Sequence, residues 1–241
     1  MGKGEHTVQP IKSVDDIKRM SKYLQKKNGI MYSTVFKVGL YSGLRISDIL
    51  GLDVEDVENK SNIVVKEKKT GKIKRFPIKD KLKEVLNEYL EYRKEKYVLS
   101  EVSGNPLFVG RQHKRLDRSQ IHRALKEAAK VLNIEGNFST HSMRKTFGYH
   151  HYQQFHDVVL LQKIFNHSSA AITLRYIGIE QEEINQSYEC FDYSAKPKKK
   201  PTQNTDFSEL EKRLDSLERK LNKVAKNTDI LVRLFLSTEQ E

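Results

Sequence analysis

One stretch of the 241-residue chain changes from helical to strand periodicity. Between Asn62 and Ile78, two short runs, NIVVKEKK and KIKRFPI, lie on either side of a Thr70-Gly71 turn and are rich in β-branched residues. This pattern around a glycine-containing turn predicts a β-hairpin. Apolar residues elsewhere recur every three or four positions, so we expect a mainly α fold with the hairpin as its small β element.

Helical patterns lie on both sides of the hairpin. The first predicted helix begins at Ser13, ahead of an acidic first turn, and ends at Asn28-Gly29. A second one follows from Ile30 to Tyr41, and a short third one begins at Ser47-Asp48 and runs through Leu50. Further helices are predicted around residues 82–90 and over residues 117–132, 139–154, 157–166, 169–177 and 180–192, with a strand at 107–109.

The charge of the chain narrows the choice of partner. Lysine and arginine number 44 against 32 acidic residues, a net charge of +12, and the part before residue 194 carries a net +9 of it. A basic globular part predicts a polyanionic partner, with nucleic acid ahead of a membrane surface. A basic surface that serves only solubility is the alternative.

Several classes of protein are disfavoured. The opening MGKGEHTVQP has no apolar segment of signal-peptide length, and no run reaches about 18 apolar residues, so we expect a cytoplasmic protein with no membrane partner. The single cysteine, Cys190, excludes an internal disulfide and is predicted to be core. His150, His151 and His156 lack carboxylate partners at ligand spacing, so no metal is predicted.

The C-terminal part has a different composition. Residues 194–205 contain four lysines and no acidic residue, which predicts a basic flexible linker. Within residues 206–236, apolar residues recur with alternating steps of three and four, as in a coiled coil. An amphipathic helix that folds back onto its own domain is the alternative. Residues 1–12 form an N-terminal extension in this division, and residues 13–193 the globular domain.

Four separated stretches carry side chains suited to phosphodiester chemistry. They are GLRISDILGL around Arg45, KEKKTGKIKRFPI around Lys69, THSMRKTFGYHHY around His141 and Arg144, and FNHSSAAITLRYIGI around His167 and Tyr176. Guanidinium groups match the forked geometry of phosphate oxygens, a lysine can protonate a leaving oxygen, and a phenol can attack phosphorus. Each motif alone is weak, and their order and spacing carry the argument.

In that order and spacing, the chain resembles the tyrosine recombinases of the phage integrase family over about residues 10 to 193. It looks most like the short catalytic-domain-only recombinases of Gram-positive bacteria and phages. The family usually has leucine where this chain has Met143, and Leu-Gly where it has Phe165-Asn166. The resemblance implies a tyrosine recombinase catalytic domain over residues 13–193.

The resemblance also implies a site-specific DNA recombinase or integrase that needs neither metal nor ATP nor any other cofactor. Tyr176 would be the nucleophile and would form a 3′-phosphotyrosine intermediate. The lysine directly before Thr-Gly, Lys69, would be the general acid. The implied catalytic set is Arg45, Lys69, His141, Arg144, His167 and Tyr176, and the predicted DNA-binding residues are Lys68, Lys72, Lys74, Lys145 and Arg175.

The implied partners are double-stranded DNA and further copies of the chain, as a tetramer on DNA with coiled-coil association. Most family members clamp DNA with an additional N-terminal domain, for which residues 1–12 leave no room. Three explanations stay open: weak binding alone, a clamp supplied by an accessory DNA-binding protein, or avidity through the coiled coil. The rival function is a DNA-binding regulator or architectural protein that keeps the fold without strand transfer.

Overall fold

A computed structural model describes residues 8–97, 105–110, 113–179 and 188–189. The chain forms two compact units, Met1–Cys190 and Phe191–Glu241, and all described residues belong to the first. The predicted linker, the predicted coiled coil and Cys190 lie outside the described residues, as does nearly all of the helix predicted at 180–192.

The described part is mainly helical with one small sheet, as the periodicity predicts. The helices are α1 (Val14–Asn28), α2 (Ile30–Ser42), α3 (Ile46–Ile49), α4 (Asp80–Lys96), α5 (Arg118–Val131), α6 (Thr140–Phe155), α7 (Val158–Phe165) and α8 (Ala170–Ile177), with a 3₁₀ turn at Val54–Asp56. Strands β1 (Asn62–Lys66) and β2 (Ile73–Pro77) form the antiparallel hairpin. The strand predicted at 107–109 is wrong. This stretch makes only isolated bridges, one between Pro106 and Asp53 and one between Val109 and Arg115, instead of a continuous ladder.

Side-chain caps fix the starts of five helices, and for α5 the cap is Asp117, which accepts a 2.7 Å hydrogen bond from the backbone N–H of Ser119. Ser13, Asp157 and Ser169 each accept a hydrogen bond from a backbone N–H in the first turn of α1, α7 and α8. Ser139 caps α6 in the same way and forms a reciprocal capping box with Ser142. Such caps satisfy N–H groups that have no partner within the helix, which sets where each helix begins.

The hairpin register decides which of its side chains face the protein. Ile63 pairs with Phe76 and Val65 with Lys74, and directly opposed residues share one face of a sheet. Ile63 and Val65 are buried, and Glu67, two residues further along, is buried as well. The inward face of the hairpin therefore continues past β1 to a carboxylate.

Two apolar clusters support the fold. The larger one includes buried side chains of α1, α2, α4, α5 and the hairpin, and α2 packs against α1, α4 and α6. The smaller one lies beneath α6, α7 and α8 and is built from Leu161, Phe165, Ile177 and Ile179. This second cluster fixes the positions of the last two helices relative to α6.

The segment before α1 is attached to α6 and the turn before it. The backbone N–H of Gln9 donates to the Asn137 carbonyl at 3.0 Å, and that of Ile11 donates to the Thr146 hydroxyl at 2.8 Å. A ring nitrogen of His150 lies 3.0 Å from the Ile11 carbonyl oxygen. The last residues of the predicted extension 1–12 thus pack on the same helix that carries His141 and Arg144.

Candidate active site

Arg45 lies at the corner between α2 and α3. Helix α2 ends at Ser42, and Gly43 follows in the left-handed region with φ of 59°. A Cβ atom on Gly43 would come within 2.5 Å of the Phe147 ring, so the tight turn and the close packing both favour glycine. Arg45 then occupies the N-cap position of α3 in extended conformation, with its side chain 17% exposed.

Arg144 connects this corner to the end of α7. Its side chain is buried, and its two terminal nitrogens donate hydrogen bonds to the carbonyl of Gly43 and, at 2.9 Å, to that of Phe165. The guanidinium carbon lies 4.3 Å from the centroid of the Phe165 ring. A planar side chain held by two carbonyls and a ring face has little rotational freedom, so Arg144 is fixed before any ligand binds.

Glu67 places a negative charge between the hairpin and the turn at residues 43–45, which we call the arginine corner. One carboxylate oxygen lies 2.9 Å from Arg45 Nη1 and accepts a 2.7 Å hydrogen bond from the Thr70 hydroxyl. Burial alone would raise the pKa of Glu67, but the Thr70 and Arg45 hydrogen bonds, with the charges of Arg45 and Arg144, outweigh burial and hold the pKa below its ordinary value. The ionised carboxylate therefore aligns Arg45 with the hairpin.

Tyr176 lies in the same site, near the end of α8. Its ring contacts Phe165 edge-on with centroids 5.6 Å apart, and the Arg144 guanidinium packs on the face of the same Phe165 ring. Burial raises the pKa of Tyr176, while the positive charges of Arg144 and Arg45 act in the opposite direction and lower it. The positive charges of both guanidinium groups thus act on the phenol, and its raised pKa keeps it protonated at neutral pH.

A hydrogen-bond chain orients His167. The Thr173 hydroxyl donates to the Ser169 carbonyl at 3.1 Å, so its oxygen is left to accept from His167 Nδ1, also at 3.1 Å. This network assigns the proton of a neutral His167 ring to Nδ1 and leaves Nε2 as an acceptor. Burial, together with the charges of Arg144 and Arg45, lowers the pKa of His167.

His141 lies in the first turn of α6, one turn before Arg144. Partial burial lowers its pKa, and the positive charges of Arg118, Arg144, Arg45 and Lys145 act in the same direction. A neutral imidazole at physiological pH can accept a proton. Arg118, at the start of α5, is an additional cation near the site that the sequence motifs do not single out.

The predicted general acid is at the surface of the hairpin tip. Lys68, Lys69 and Thr70 form the turn after β1, and the side chains of Lys68, Lys69 and Lys72 are all exposed. The backbone N–H of Lys68 donates to Asp48 at 3.0 Å, which ties the turn to α3. The structure thus anchors the backbone beside Lys69 to the arginine corner while leaving the Lys69 side chain accessible.

The five residues predicted to bind DNA fall into two groups. Lys68, Lys72 and Arg175 are exposed. Lys145 is buried, with its Nζ 5.0 Å from the centroid of the Tyr176 ring. Lys74 is partly buried and donates a 3.0 Å hydrogen bond to the Ser42 carbonyl. The last two lysines therefore face the interior of the site rather than open solvent.

Two carboxylates of the site were not among the predicted residues. Asp48 is buried one turn after Arg45, and Glu67 lies between Arg45 and Thr70. The alternation Ile63, Val65, Glu67 places the glutamate on the inward face of the hairpin, and this signal was available in the sequence. The Asp48 signal was weaker, because a polar residue in a short helix is usually exposed.

Two further features concern the described residues only. They contain no group of three or more His, Cys, Asp or Glu side chains arranged to hold a metal ion. None of their helices combines the length and apolar character needed to span a membrane.

Comparisons with known proteins agree with this geometry. The family model described as "Phage integrase family" matches residues 13–183. The chain is 42% identical over 187 residues to a probable integrase/recombinase, YoeC, of Bacillus subtilis strain 168, which covers 77% of this chain and 98% of that protein. It is 28% identical to the tyrosine recombinase XerC of Thermodesulfovibrio yellowstonii, over 61% of this chain and 50% of that protein, so it spans about half the length of that relative.

Solved structures share the fold. The crystal structure of XerA recombinase superimposes with a TM-score of 0.62 at 24% identity, covering 78% of this chain and 68% of the other. A lambda integrase (75–356) dimer bound to a COC′ core site gives a TM-score of 0.58 at 15% identity, covering 81% and 64%. With the family model matched over most of the described domain, the chain belongs to the phage integrase family, the tyrosine recombinases, which cleave and rejoin DNA strands.

Proposed function

We propose that this chain cleaves and rejoins DNA at specific sites through a covalent bond between Tyr176 and a 3′ phosphate. The observation that carries the proposal is the packing of Arg144 and Tyr176 on the same Phe165 ring, 4.3 Å and 5.6 Å from its centroid, with His167 5.1 Å from the Tyr176 ring. Arg144 also donates to the Gly43 carbonyl, so the turn before Arg45, about 100 residues earlier in the chain, lies at the same site. Family membership and the 42% identity to a probable integrase/recombinase support the same reaction.

In the proposed cleavage step, the phenol oxygen of Tyr176 attacks the phosphorus and the bond to the 5′ oxygen breaks. The phenol proton passes to a base, for which His141 is suited because its lowered pKa keeps the ring neutral. The leaving oxygen takes a proton from Lys69 and departs as a 5′ hydroxyl. Rejoining reverses each transfer with a 5′ hydroxyl from another strand, so the step needs no ATP.

The two arginines would stabilise the transition state. Negative charge builds on the non-bridging oxygens during attack, and pre-oriented cations stabilise it without reorganising. Arg144 is held by two carbonyls and Arg45 by Glu67, so both have partners that fix their direction. His167, with Nδ1 committed to Thr173, would donate to the same phosphate from Nε2 once its ring has taken up a proton.

The proposed partner is double-stranded DNA. The exposed lysines Lys68, Lys69 and Lys72 at the hairpin tip, with Arg175, would contact the phosphate backbone. Assembly into a tetramer on DNA is part of the proposal, supported by the fold shared with a lambda integrase tetramer bound to a Holliday junction. We also propose a catalytic domain at 13–193, a basic linker at 194–205 and a coiled coil at 206–236. Copies of the chain would associate through the coiled coil, and the protein would act in the cytoplasm.

A covalent trapping experiment tests the proposal. DNA substrates nicked near the cleavage position lose a short fragment after attack, so the protein–DNA adduct accumulates. We expect the wild type to form an adduct that resists denaturation, and Tyr176→Phe to bind the same DNA without forming one. Binding without an adduct by the wild type on its own recombination sites would instead indicate a DNA-binding regulator with a recombinase fold.

A further inference from the structure

Lys74 occupies an unusual position for a lysine in a basic hairpin. It lies on β2 directly opposite the buried Val65, and its Nζ donates a 3.0 Å hydrogen bond to the Ser42 carbonyl at the end of α2. Its neighbours in sequence, Ile73 and Arg75, are exposed. Strand alternation therefore directs Lys74 inward, to the corner that precedes Arg45.

The end of α2 binds two cations at once. Arg144 donates to the carbonyl of Gly43, and Lys74 donates to the carbonyl of Ser42. The last carbonyls of a helix have no partner within it and carry the negative end of the helix dipole, so cations there are stabilised. One side chain comes from α6 and the other from the hairpin, and they bind the carbonyls of two adjacent residues.

The surroundings of Lys74 disfavour its charged form. Burial lowers its pKa to about 8, and the positive charges of Arg144 and Arg45 act in the same direction, while Glu67 and Asp48 partly compensate. An exposed lysine would bind a DNA phosphate without this desolvation, as Lys72 is placed to do. A half-buried lysine that is subject to the positive charges of two arginines is better explained by its contact with the α2 carbonyl.

We propose that Lys74 is a positioning residue for strand cleavage: it fastens the hairpin to the arginine corner, so that Lys69 on the hairpin and Arg45 on the corner meet the same phosphate. The inference rests on the proposed function. Two further contacts join the same elements, the Arg45–Glu67 ion pair and the bond from the Lys68 N–H to Asp48. Both of those contacts come from the β1 side of the hairpin turn, whereas Lys74 makes its contact from β2. Contacts on both sides of the turn together resist rotation of the hairpin tip.

The first test separates rate from affinity. Lys74→Met removes the contact with the Ser42 carbonyl, Lys72→Met removes an exposed lysine of the same hairpin, and Lys83→Met is a control on α4. We expect Lys74→Met to slow adduct formation by about tenfold or more, since small misplacements can cost up to about 100-fold, with DNA affinity and its salt dependence as in the wild type. Lys72→Met should instead weaken binding and reduce the salt slope by about one. Lys74→Met behaving like Lys72→Met, or like Lys83→Met, would overturn the inference.

The second test asks whether Lys74 itself donates the proton. In a substrate with sulfur at the 5′ bridging position, the leaving thiolate needs no proton, because thiols are much more acidic than alcohols. We expect this substrate to restore cleavage by Lys69→Met and not by Lys74→Met. Recovery of Lys74→Met on the sulfur substrate would make Lys74 the acid and overturn the positioning role.

Two further measurements separate the role of Lys74 from misfolding of the variants and from failure of the proposed DNA cleavage activity. Thermal unfolding of each variant reports folding, and Lys74→Arg, which keeps a charged donor, should recover part of the rate lost in Lys74→Met. If Lys74→Met does not fold, Lys74→Arg carries the test, and a rate below that of Lys72→Arg is the expected result. If the wild type forms no adduct, both proposals fail; if it does and the Lys74 variants match it, only the positioning role fails.

Discussion

The ring of Tyr176 stands edge-on to the imidazole of His167, with centroids 5.1 Å apart and an interplanar angle of 78°. Nine residues separate them in sequence, and the Ser169 cap of α8 lies between them. Because Thr173 fixes His167 and α8 carries both Thr173 and Tyr176, the helix sets the two rings relative to each other. The phenol is therefore held in the site formed by its own chain's arginines.

Arg144→Lys should abolish most of the cleavage activity. A lysine cannot donate to the Gly43 and Phe165 carbonyls in the geometry of a planar guanidinium, nor can it stack on the Phe165 ring in the same way. We expect the adduct rate to fall by about 100-fold or more, as for the loss of a transition-state donor. Single-turnover cleavage and a DNA-binding assay measure the two effects, and an equal loss in both would argue against a transition-state role.

Glu67→Gln should change how stability depends on pH. The folded-state pKa of Glu67 lies below its ordinary value near 4.5, so the ionised carboxylate contributes stability that is present above that value and lost as pH falls through the folded pKa. Melting temperatures of the wild type should therefore drop on acidification below about pH 4.5, and the variant should lack this part of the drop. Identical profiles for the two proteins would show that the Arg45 pair is not formed.

The same variant should also slow cleavage at neutral pH. Glutamine keeps the size of the side chain but leaves Arg45 without its counter-charge, so the guanidinium is no longer held toward the hairpin. We expect an adduct rate lowered by about tenfold with DNA affinity equal or slightly higher, since one negative charge near the phosphate is gone. A markedly weaker DNA complex would contradict this explanation.

Gly148→Ala tests whether the packing of α6 against α8 positions the nucleophile. A Cβ atom there would come within 2.6 Å of Ile177 and 2.7 Å of the Phe165 ring, so α7 or α8 must shift. Overpacking of this kind costs about 1–3 kcal/mol of folding free energy. We expect a lower melting temperature and a cleavage rate reduced more than DNA binding. Gln153→Ala, at an exposed position of the same helix, is the control for an alanine substitution in α6.

The sequence predicts the fold well where one local pattern decides the structure. Cap residues such as Ser13 and Ser169 mark helix starts that the structure has, because capping is a local interaction. The segment at 107–109 looked like a strand and forms only single bridges, since a strand needs a partner that local sequence does not reveal.

In the site, too, contacts between distant parts of the chain could not be predicted from local sequence. The predicted residues Arg144, His167 and Tyr176 do converge, since their order and spacing carry the family pattern. The inward direction of Lys74 was obscured by the surrounding basic run, although its strand face was readable once the register with Val65 was known. Buried counter-charges such as Glu67 depend on contacts between distant elements, which no single motif contains.

The residue that carries the covalently bound DNA can be mapped, which tests directly whether Tyr176 is the nucleophile. The trapped adduct can be digested with nuclease and trypsin, and fragmentation mass spectrometry then locates the residual nucleotide on the protein. We expect a phosphodiester on Tyr176, in the peptide that begins after Arg175. A linkage to Tyr188, which is 81% exposed, or to any other residue would contradict it.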